Sequence, residues 1–358
     1  MSEITEIEPA GPSGTDRRGG ASRVRLRDVA REAGVSTATV SRVINGASTV
    51  APATRALIED KIRELGFAPS PLAKALNLGR TRTVAAVIPT VDNAIFARFL
   101  EALEARLGAL GHALVIATSN DDRTLEYTRV RALLEMGAEA VILSGASQLP
   151  ALGQLAARFQ APVVLSSIYD AEAAYPTIGY DNAGLAAQAM AHLVGLGHRQ
   201  IAVLHGPLAG NDRTRLRLAG AEEARGAATL TCHEGALSVE AGARATTALL
   251  EAGPRPTALF CLSDVLALGA LFALQRAGLD VPGQISVMGF DNMAWATEAV
   301  PPLSSVDLPA VEMGAVTAEA IVAHLERGTP ITPRCLRASL ILRGSTGPAP
   351  LPQSTSIG

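Results

Sequence analysis

Short apolar runs alternate with helix-length segments along most of the chain. The runs VAAVIP, LVIAT, AVILS and PVVLS come first, and IAVLHG, ALFCL and ISVMGF follow. Runs of four to eight apolar residues without polar alternation are typical of strands buried on both faces, which belong to parallel sheets covered by helices. The alternation therefore predicts an α/β fold with two doubly wound parallel-sheet subdomains. A break near Ile178 to Tyr180 separates the two sets of strands, which we expect to face each other across a cleft.

The predicted organisation has five parts. CLRASLILRG should supply the last strand, and the chain should cross three times between the subdomains. The ends are Pro-rich, Gly-rich or Ser-rich and are predicted to be disordered. The predicted boundaries are 1–22 for a disordered leader, 23–68 for an all-α head, 69–82 for a hinge helix and linker, 83–345 for the α/β body (first subdomain 83–178 and 306–330, second subdomain 179–305 and 331–345), and 346–358 for a disordered tail.

The head begins with apolar residues at helical spacing, from Leu26 to Ala33. Gly34 is expected to end this first helix, and Ser36 can cap the second. A third helix starts near Pro52, and its apolar positions Leu57, Ile58, Ile62 and Leu65 are expected to close the head core. Two short helices joined by a glycine turn form a helix-turn-helix, although an αα-hairpin that only packs has the same spacing.

The charge distribution favours contact with nucleic acid. Residues 17 to 82 hold thirteen Lys or Arg against five Asp or Glu, a balance of +8, so the remainder of the chain carries −11. Such an asymmetry is expected when one end of a protein meets phosphate. In a helix-turn-helix, the start of the second helix meets base edges in the major groove, where Arg42 could fork onto a guanine.

Other features of the sequence argue against a secreted protein, a membrane protein and an enzyme. The three cysteines are far apart, so a reducing cytoplasm is the default location, and the polar N-terminus is not that of a signal peptide. No apolar run approaches the length that a membrane span requires. Phosphate-binding loops, nucleophile elbows and Cys/His metal spacings are absent from the sequence, which disfavours an enzyme and implies no cofactor or metal. His112 and His198 are expected to be surface loop residues.

The head and the segment after it resemble the LacI family of transcription regulators. The resemblance is carried by VRLRDVAREAGVSTATVSRVING, by ELGFAPS, and by PLAKALNLGRT directly before a strand. It implies base reading by Thr37, Ala38 and Arg42. It also implies a hinge helix that folds on DNA, in which Leu76 enters the minor groove as a wedge. Further positions implied to contact phosphate or cap the helix are Ser36, Thr39, Ser41 and Asn45, and the remaining hinge positions are Ala73 and Lys74, where Lys74 stands in place of a more frequent arginine.

In the body, polar residues follow the strands at the edge where parallel sheets bind ligands. The resemblance implies a sensor of the periplasmic-binding-protein type, with Arg217 and Asp291 holding a small effector. Ser263 stands where asparagine is commoner and Ser167 near where an aspartate often lies, so a particular sugar is not implied. An aromatic such as Phe96 or Trp295 could stack on a ring. The predicted effector residues are Asp92, Asn93, Phe96, Ser167, Arg217, Ser263 and Asp291.

These observations favour a sequence-specific DNA-binding regulator, most simply a repressor. It is expected to act as a homodimer on near-palindromic double-stranded operator DNA, under the control of a sugar-like effector and without a membrane. A solute-binding protein that serves a transporter would share the body, but it would have no use for a helix-turn-helix.

Overall fold

The computed structural model describes residues 24–44, 49–67 and 80–351. The chain divides into two compact units, Met1–Thr81 and Arg82–Gly358. The first unit is helical and the second contains two six-stranded sheets, which confirms the predicted fold class. The predicted leader, Asn45, and the hinge positions Ala73, Lys74 and Leu76 lie outside the described residues.

Three helices pack around a small apolar core in the first unit. They are α1 (Leu26–Glu32), α2 (Thr37–Ile44) and α3 (Pro52–Glu64). Val29, Val40, Val43 and Ile58 are buried between them because each helix turns one apolar face inward. Leu57 was expected in this core but is 44% exposed, since it precedes Ile58 by one residue and so points about 100° away from it.

The first sheet of the body has the strand order β11-β5-β4-β3-β1-β2, and all its pairs are parallel. Helices cover both faces of its inner strands, so β1, β3, β4 and β5 are buried, as the continuous apolar runs predict, whereas the edge strands β2 and β11 are partly exposed. Its elements are β1 (Thr83–Ile88), α4 (Ala94–Ala109), β2 (Ala113–Thr118), α5 (Arg123–Glu135), β3 (Ala140–Ser144), α6 (Ala151–Phe159), β4 (Val163–Ser166), β5 (Thr177–Gly179), α11 (Ala310–Arg327) and β11 (Arg334–Cys335).

The second sheet has the order β12-β10-β9-β8-β6-β7, in which only the pairing of β12 with β10 is antiparallel. Gly220 lets α8 (Asp212–Glu223) approach α7 (Asn182–Gly195) closely, because a Cβ at this position would collide with the backbone of Ala183. The elements are α7 (Asn182–Gly195), β6 (Gln200–His205), α8 (Asp212–Glu223), β7 (Thr229–Glu234), α9 (Val239–Glu251), β8 (Ala258–Cys261), α10 (Asp264–Arg276), β9 (Ser286–Asp291), a 3₁₀ turn (Ala294–Thr297), β10 (Ser304–Asp307) and β12 (Ser339–Ile341).

Three chain segments connect the two subdomains. The first follows β5, the second follows β10, and the third lies between Cys335 and Ser339. The predicted single strand CLRASLILRG is therefore divided, because Arg334–Cys335 pairs with β5 in the first sheet while Ser339–Ile341 pairs with β10 in the second. The third crossing consequently falls several residues later than the predicted boundary at 330/331.

Residues 345–349 form a strap that is bonded to the base of the second sheet, so the predicted disordered tail does not begin at 346. Val287 N–H donates to the Ser345 carbonyl (2.7 Å), and Ala349 N–H donates to the Leu196 carbonyl (2.9 Å). The Pro/Ser-rich composition suggested disorder, but these backbone groups find partners on β9 and at the end of α7.

His198 is fully buried beneath this strap and binds it. It was expected in a surface loop, so this prediction is wrong. Its Nδ1 lies 2.9 Å from Thr257 Oγ1, and its Nε2 lies 3.1 Å from both Ser286 Oγ and the Gly347 carbonyl. His112 is also buried, with its Nδ1 3.1 Å from the Leu110 carbonyl. Burial lowers the pKa of His198 below its ordinary value, because the imidazolium would lose its hydration.

We expect His198→Ala to lower the free energy of unfolding by about 2–4 kcal/mol, since it removes the hydrogen bonds of the imidazole to Thr257, Ser286 and Gly347 and opens a cavity. The depressed pKa of His198 means that its contribution is present above about pH 6.5 and is lost as the pH falls. Urea unfolding at pH 7.5 and 5.5 should show a smaller pH dependence in the variant. His324→Ala, at the surface end of α11, is the control, and an equal loss of stability there would contradict the anchoring role.

None of the helices in the described ranges is long and apolar enough to cross a bilayer.

Candidate functional site

The first candidate surface is the outer face of α2 in the head. Thr37, Ala38 and Arg42 are exposed, while Val40 and Val43 on the opposite face are buried. Ser36 Oγ accepts the Thr39 N–H (3.1 Å) and lies 2.9 Å from Thr39 Oγ1, which fixes the start of the helix. The exposed face therefore combines two short side chains with one long cationic side chain on a rigid helix.

The second candidate site is a cavity of about 180 Å³ between the two subdomains of the body. The seven residues predicted for effector binding all line it, because the carboxyl ends of parallel strands meet at one edge of each sheet. Trp295 does not line it and instead lines a separate pocket that also includes Phe272. The additional lining residues are Pro89, Thr90, Ile95, Phe99, Asp121, Tyr180, Asn211, Arg213, Thr214, Leu237, Leu262 and Met313.

Arg217 forms the floor of the cavity and is held by several partners at once. Its Nε donates to Asn182 Oδ1 (2.9 Å), and its Nη1 donates to the Leu262 carbonyl (2.8 Å) and lies 3.6 Å from Asp291 Oδ1. Its guanidinium carbon lies 4.0 Å from the centroid of the Phe290 ring. A guanidinium fixed on several sides loses little further freedom when it binds a ligand.

Asp291 is buried opposite Arg217 and has a φ of 122°, a conformation that side chains other than glycine rarely adopt. Ser263 Oγ donates to its Oδ2 (2.8 Å) instead of capping α10. The neighbouring Asp264 accepts the Met293 N–H (2.7 Å) and the Ser305 hydroxyl (2.6 Å). Burial, together with the negative charge of Asp291, raises the pKa of Asp264 to about 7. The strained backbone at Asp291 places its carboxylate at the cavity wall.

Asn182 is the first residue of α7, but its side chain does not cap that helix. Asn182 bridges the subdomain connection, donating to the Ser167 carbonyl (3.0 Å) while it accepts from Arg217. The cap of α7 is Asp181, whose Oδ1 accepts the Gly184 N–H. On the first-subdomain side, Asn93 Oδ1 accepts the Ile95 N–H (3.2 Å) and so caps α4, while Phe96 presents its ring to the cavity.

Sequence reasoning missed Arg213 and Asp121, which form an ion pair at the mouth of the cavity. Arg213 is 6% exposed, and its Nη2 lies 3.0 Å from Asp121 Oδ1 in the other subdomain. Arg215, which lies between Arg213 and Arg217 in the sequence, is exposed and donates to Ser147 Oγ (3.0 Å) outside the cavity. A signal was present, because Arg213 and Arg217 are four residues apart and must share one helix face.

Glu126 on α5 lies beside this ion pair. Burial raises the pKa of Glu126 to about 7, the cation of Arg213 opposes that rise, and the carboxylates of Asp212 and Asp121 add to it. Below about pH 4.5 the carboxyl of Glu126 is protonated in both the folded and the unfolded chain, so it does not lower the stability of the fold. As the pH rises towards about 7 the carboxyl ionises more readily in the unfolded chain, so the loss of stability grows, and it is complete above about pH 7.

Glu126→Gln should therefore raise the free energy of unfolding by about 1–2 kcal/mol at pH 8 and by much less at pH 5, since each unit of pKa corresponds to about 1.4 kcal/mol. Chemical unfolding at both pH values measures the difference. Glu135→Gln, on the exposed face of the same helix, should show no such pH-dependent gain. A gain at pH 5 as large as that at pH 8 would refute the assignment.

A helix-turn-helix head and a body with a buried polar cleft define the architecture of a ligand-responsive DNA-binding protein. Comparison with known protein families agrees with this division into a DNA-binding head and a ligand-binding body. Residues 25–70 match the model of bacterial regulatory proteins of the lacI family, and residues 190–346 match a periplasmic binding protein-like domain.

Individual relatives cover nearly the whole chain. The HTH-type transcriptional repressor CytR of Escherichia coli K12 is 30% identical over 336 residues, which is 91% of this chain and 97% of CytR. The HTH-type transcriptional repressor PurR of Escherichia coli O1:K1 / APEC is 33% identical over 297 residues, 81% of this chain and 86% of PurR. The lac repressor dimer bound to operator and the anti-inducer ONPF superposes with a TM-score of 0.82 at 29% identity, covering 90% of this chain and 99% of the repressor chain. The chain belongs to the LacI family, and these relatives are named as repressors, not as enzymes.

Proposed function

We propose that this protein is a sequence-specific repressor of transcription whose affinity for operator DNA is set by a small molecule bound in the body. One observation carries the proposal. A single chain of the LacI family combines an exposed recognition face on α2 with a buried polar cleft lined by Arg217 and Asp291. Its place of action is the cytoplasm, where operator DNA is found.

The proposed DNA contacts follow from exposure and side-chain chemistry. Arg42 offers a planar fork that matches the acceptors of guanine in the major groove, and Thr37 and Ala38 are short enough to allow close approach. Thr39 and Ser41 are half-buried beside them, at the edge of the face where phosphates would lie. Ala73, Lys74 and Leu76 remain proposed minor-groove residues on the strength of the sequence motif alone.

The chemistry of the cleft favours an uncharged ligand rich in hydroxyl groups. Arg217 is paired with Asp291 and Arg213 with Asp121, so both cations are already neutralised. Hydroxyl groups both donate and accept, which suits carboxylates, amides and guanidinium groups on one wall, while Phe96 offers a ring face on the other. The regulator CelR, solved as a complex with cellobiose, is 31% identical to this chain with a TM-score of 0.64, which supports a sugar or a sugar derivative here.

We further propose a homodimer that places one head on each half of a near-palindromic operator. The lac repressor, to which the chain is similar along nearly its whole length, was solved as a dimer on its operator. Two heads related by a two-fold axis require half-sites related by the same axis.

Arg42→Ala should weaken binding to the operator by about 10- to 100-fold, because one bidentate contact contributes about 1–3 kcal/mol of discrimination. The operator is first selected from random duplexes, and fluorescence anisotropy then compares it with an unrelated duplex at the same salt concentration. Arg31→Ala removes the same charge from α1 and serves as the control. Equal losses on the operator and on the unrelated duplex would remove the base-reading role from Arg42.

Arg217→Lys should weaken effector binding by at least about tenfold while operator binding without effector persists. The substitution keeps a positive charge beside Asp291 but loses the fork that reaches Asn182 and Leu262 together. Thermal shift against pentoses, hexoses, sugar acids and nucleosides identifies the ligand, and calorimetry then compares the variants. Arg225→Lys, near the end of α8 and outside the cavity, is the control. Unchanged affinity in Arg217→Lys would show that the ligand does not bind here.

A further inference from the structure

The chain leaves β9 through two consecutive residues with positive φ, neither of which is glycine. Asp291 has a φ of 122° and Asn292 has a φ of 48°. Residues with a side chain rarely adopt such a backbone, and they keep it only where the surrounding structure holds them in place. The side chain of Asp291 lines the cavity from this turn. The contacts that hold the turn therefore also shape the site.

One carboxylate, that of Asp264 at the start of α10, receives the backbone of this turn. Its Oδ2 accepts the Met293 N–H (2.7 Å), and its Oδ1 accepts the Ser305 hydroxyl (2.6 Å). The oxygen of Ser305 in turn accepts the Asn292 N–H (3.0 Å). The two N–H groups that follow Asp291 are thus connected to Asp264, one directly and one through Ser305.

Asp264 itself does not line the cavity. It is fully buried and lies against β9 at Gly289, where a Cβ would collide with its Oδ1. A carboxylate removed from water in this way stays ionised only while hydrogen-bond donors surround it, and its donors here belong to the turn and to Ser305. Any effect of Asp264 on a ligand must therefore pass through the turn to Asp291.

We infer that Asp264 is a positioning residue of the effector site, which holds the Asp291–Asn292 turn in its strained conformation and so keeps the Asp291 carboxylate beside Arg217. An ionised carboxylate accepts at both oxygens, whereas a protonated carboxyl or an amide offers one acceptor and one donor. With either of these, the Ser305 hydroxyl loses its acceptor and the turn is held less firmly. The effect on a ligand rests on the proposed function, but the anchoring of the turn does not.

Asp264 changes its ionisation near neutral pH. Burial and the negative charge of Asp291 raise the pKa of Asp264 to about 7, and the hydrogen bond from Ser305 opposes that rise. Cys261 of β8 also faces Asp264, but burial raises the pKa of its thiol, which stays neutral, and Arg217 of α8 lies beyond Asp291. Because the ionised form holds the turn, effector affinity should be weak below about pH 7 and should rise to a plateau above it.

Hydrogen exchange on the full chain, without DNA or ligand, tests the anchoring of the turn. Mass spectrometry with single-residue fragmentation measures the amides of Asn292 and Met293 at pH 8. Ser305→Ala and Asp264→Asn should each speed exchange at these amides by about tenfold or more, which corresponds to about 1.4 kcal/mol. The amides in the last turns of α10 should exchange at the rate of the parent, whereas a general loosening of the fold would change them too. Ser305→Ala keeps the test decisive if Asp264→Asn does not fold.

Ser304→Ala is the matched control for the loss of a buried hydroxyl. Ser304 and Ser305 are adjacent on β10, and both are fully buried. The Ser304 oxygen, however, accepts the Arg343 N–H (2.8 Å) and lies 2.9 Å from Thr346 Oγ1 in the strap. This control should keep the exchange rates of the parent at the turn. Parent rates in both test variants, or an equal acceleration in the control, would overturn the inference.

Calorimetry tests the connection to the effector, with D-ribose, D-glucose, D-gluconate and uridine as probes. All proteins carry Glu126→Gln, which removes a second carboxyl with a pKa of about 7 near the cavity. The parent should bind its probe about five- to tenfold more tightly at pH 8 than at pH 6, since a fully coupled carboxyl changes affinity by about tenfold over this interval. Asp264→Asn should bind at both pH values with the weaker affinity of the parent at pH 6.

The two experiments separate this inference from the proposed function. A pH dependence of probe binding that survives Asp264→Asn unchanged would overturn the positioning role of Asp264. If none of the probes binds the parent, the proposed sugar-like ligand is wrong, and the exchange rates at Asn292 and Met293 still decide whether Asp264 anchors the turn.

Discussion

The buried pair of Arg217 and Asp291 is the interaction on which the cleft depends. A guanidinium and a carboxylate that are almost fully removed from water remain charged only when their partners are in place. Those partners come from different parts of the second subdomain, including Asn182 at the start of α7, the Leu262 carbonyl after β8, and Ser263 before α10. The pair therefore joins helix ends to strand ends, and the same atoms form the polar floor of the cavity. Because the same groups stabilise the fold and line the cavity, a substitution among them changes both stability and ligand contact.

Much of this site could be predicted from sequence because the topology of a parallel sheet is strict. Once the strands were located, the residues that follow them had to gather at one edge, and Ser167, Ser263 and Asp291 do so. Arg213 was not predicted, although its spacing of four residues from Arg217 places both on one face of α8. Asp121 could not have been found from a local pattern, since its position at the cavity depends on the approach of the other subdomain.

The elements that sequence reasoning misjudged depend on partners far along the chain. Ser286 and Gly347, which contact His198, lie 88 and 149 residues away from it. A short segment of serine, glycine and proline has the composition of a disordered tail, yet it becomes ordered where a buried imidazole and open sheet carbonyls receive its polar groups. The division of CLRASLILRG between two sheets has the same cause, because both subdomains present an edge strand close to one segment of chain.

Recognition and regulation are built from opposite kinds of contact. The head core consists of apolar side chains such as Val29, Val40 and Ile58, which pack α2 against the other two helices. The contacts across the cleft instead are an ion pair between Arg213 and Asp121 and single hydrogen bonds such as that from Arg215 to Ser147, each of which contributes modestly because water competes for the same groups. A small ligand can shift an equilibrium only by the difference between its affinities for the two states, which amounts to a few kcal/mol. Apolar packing across the cleft on the scale of the subdomain cores would exceed that difference and fix the body in one state. Polar contacts across the cleft are weak enough for the binding of a ligand to alter them.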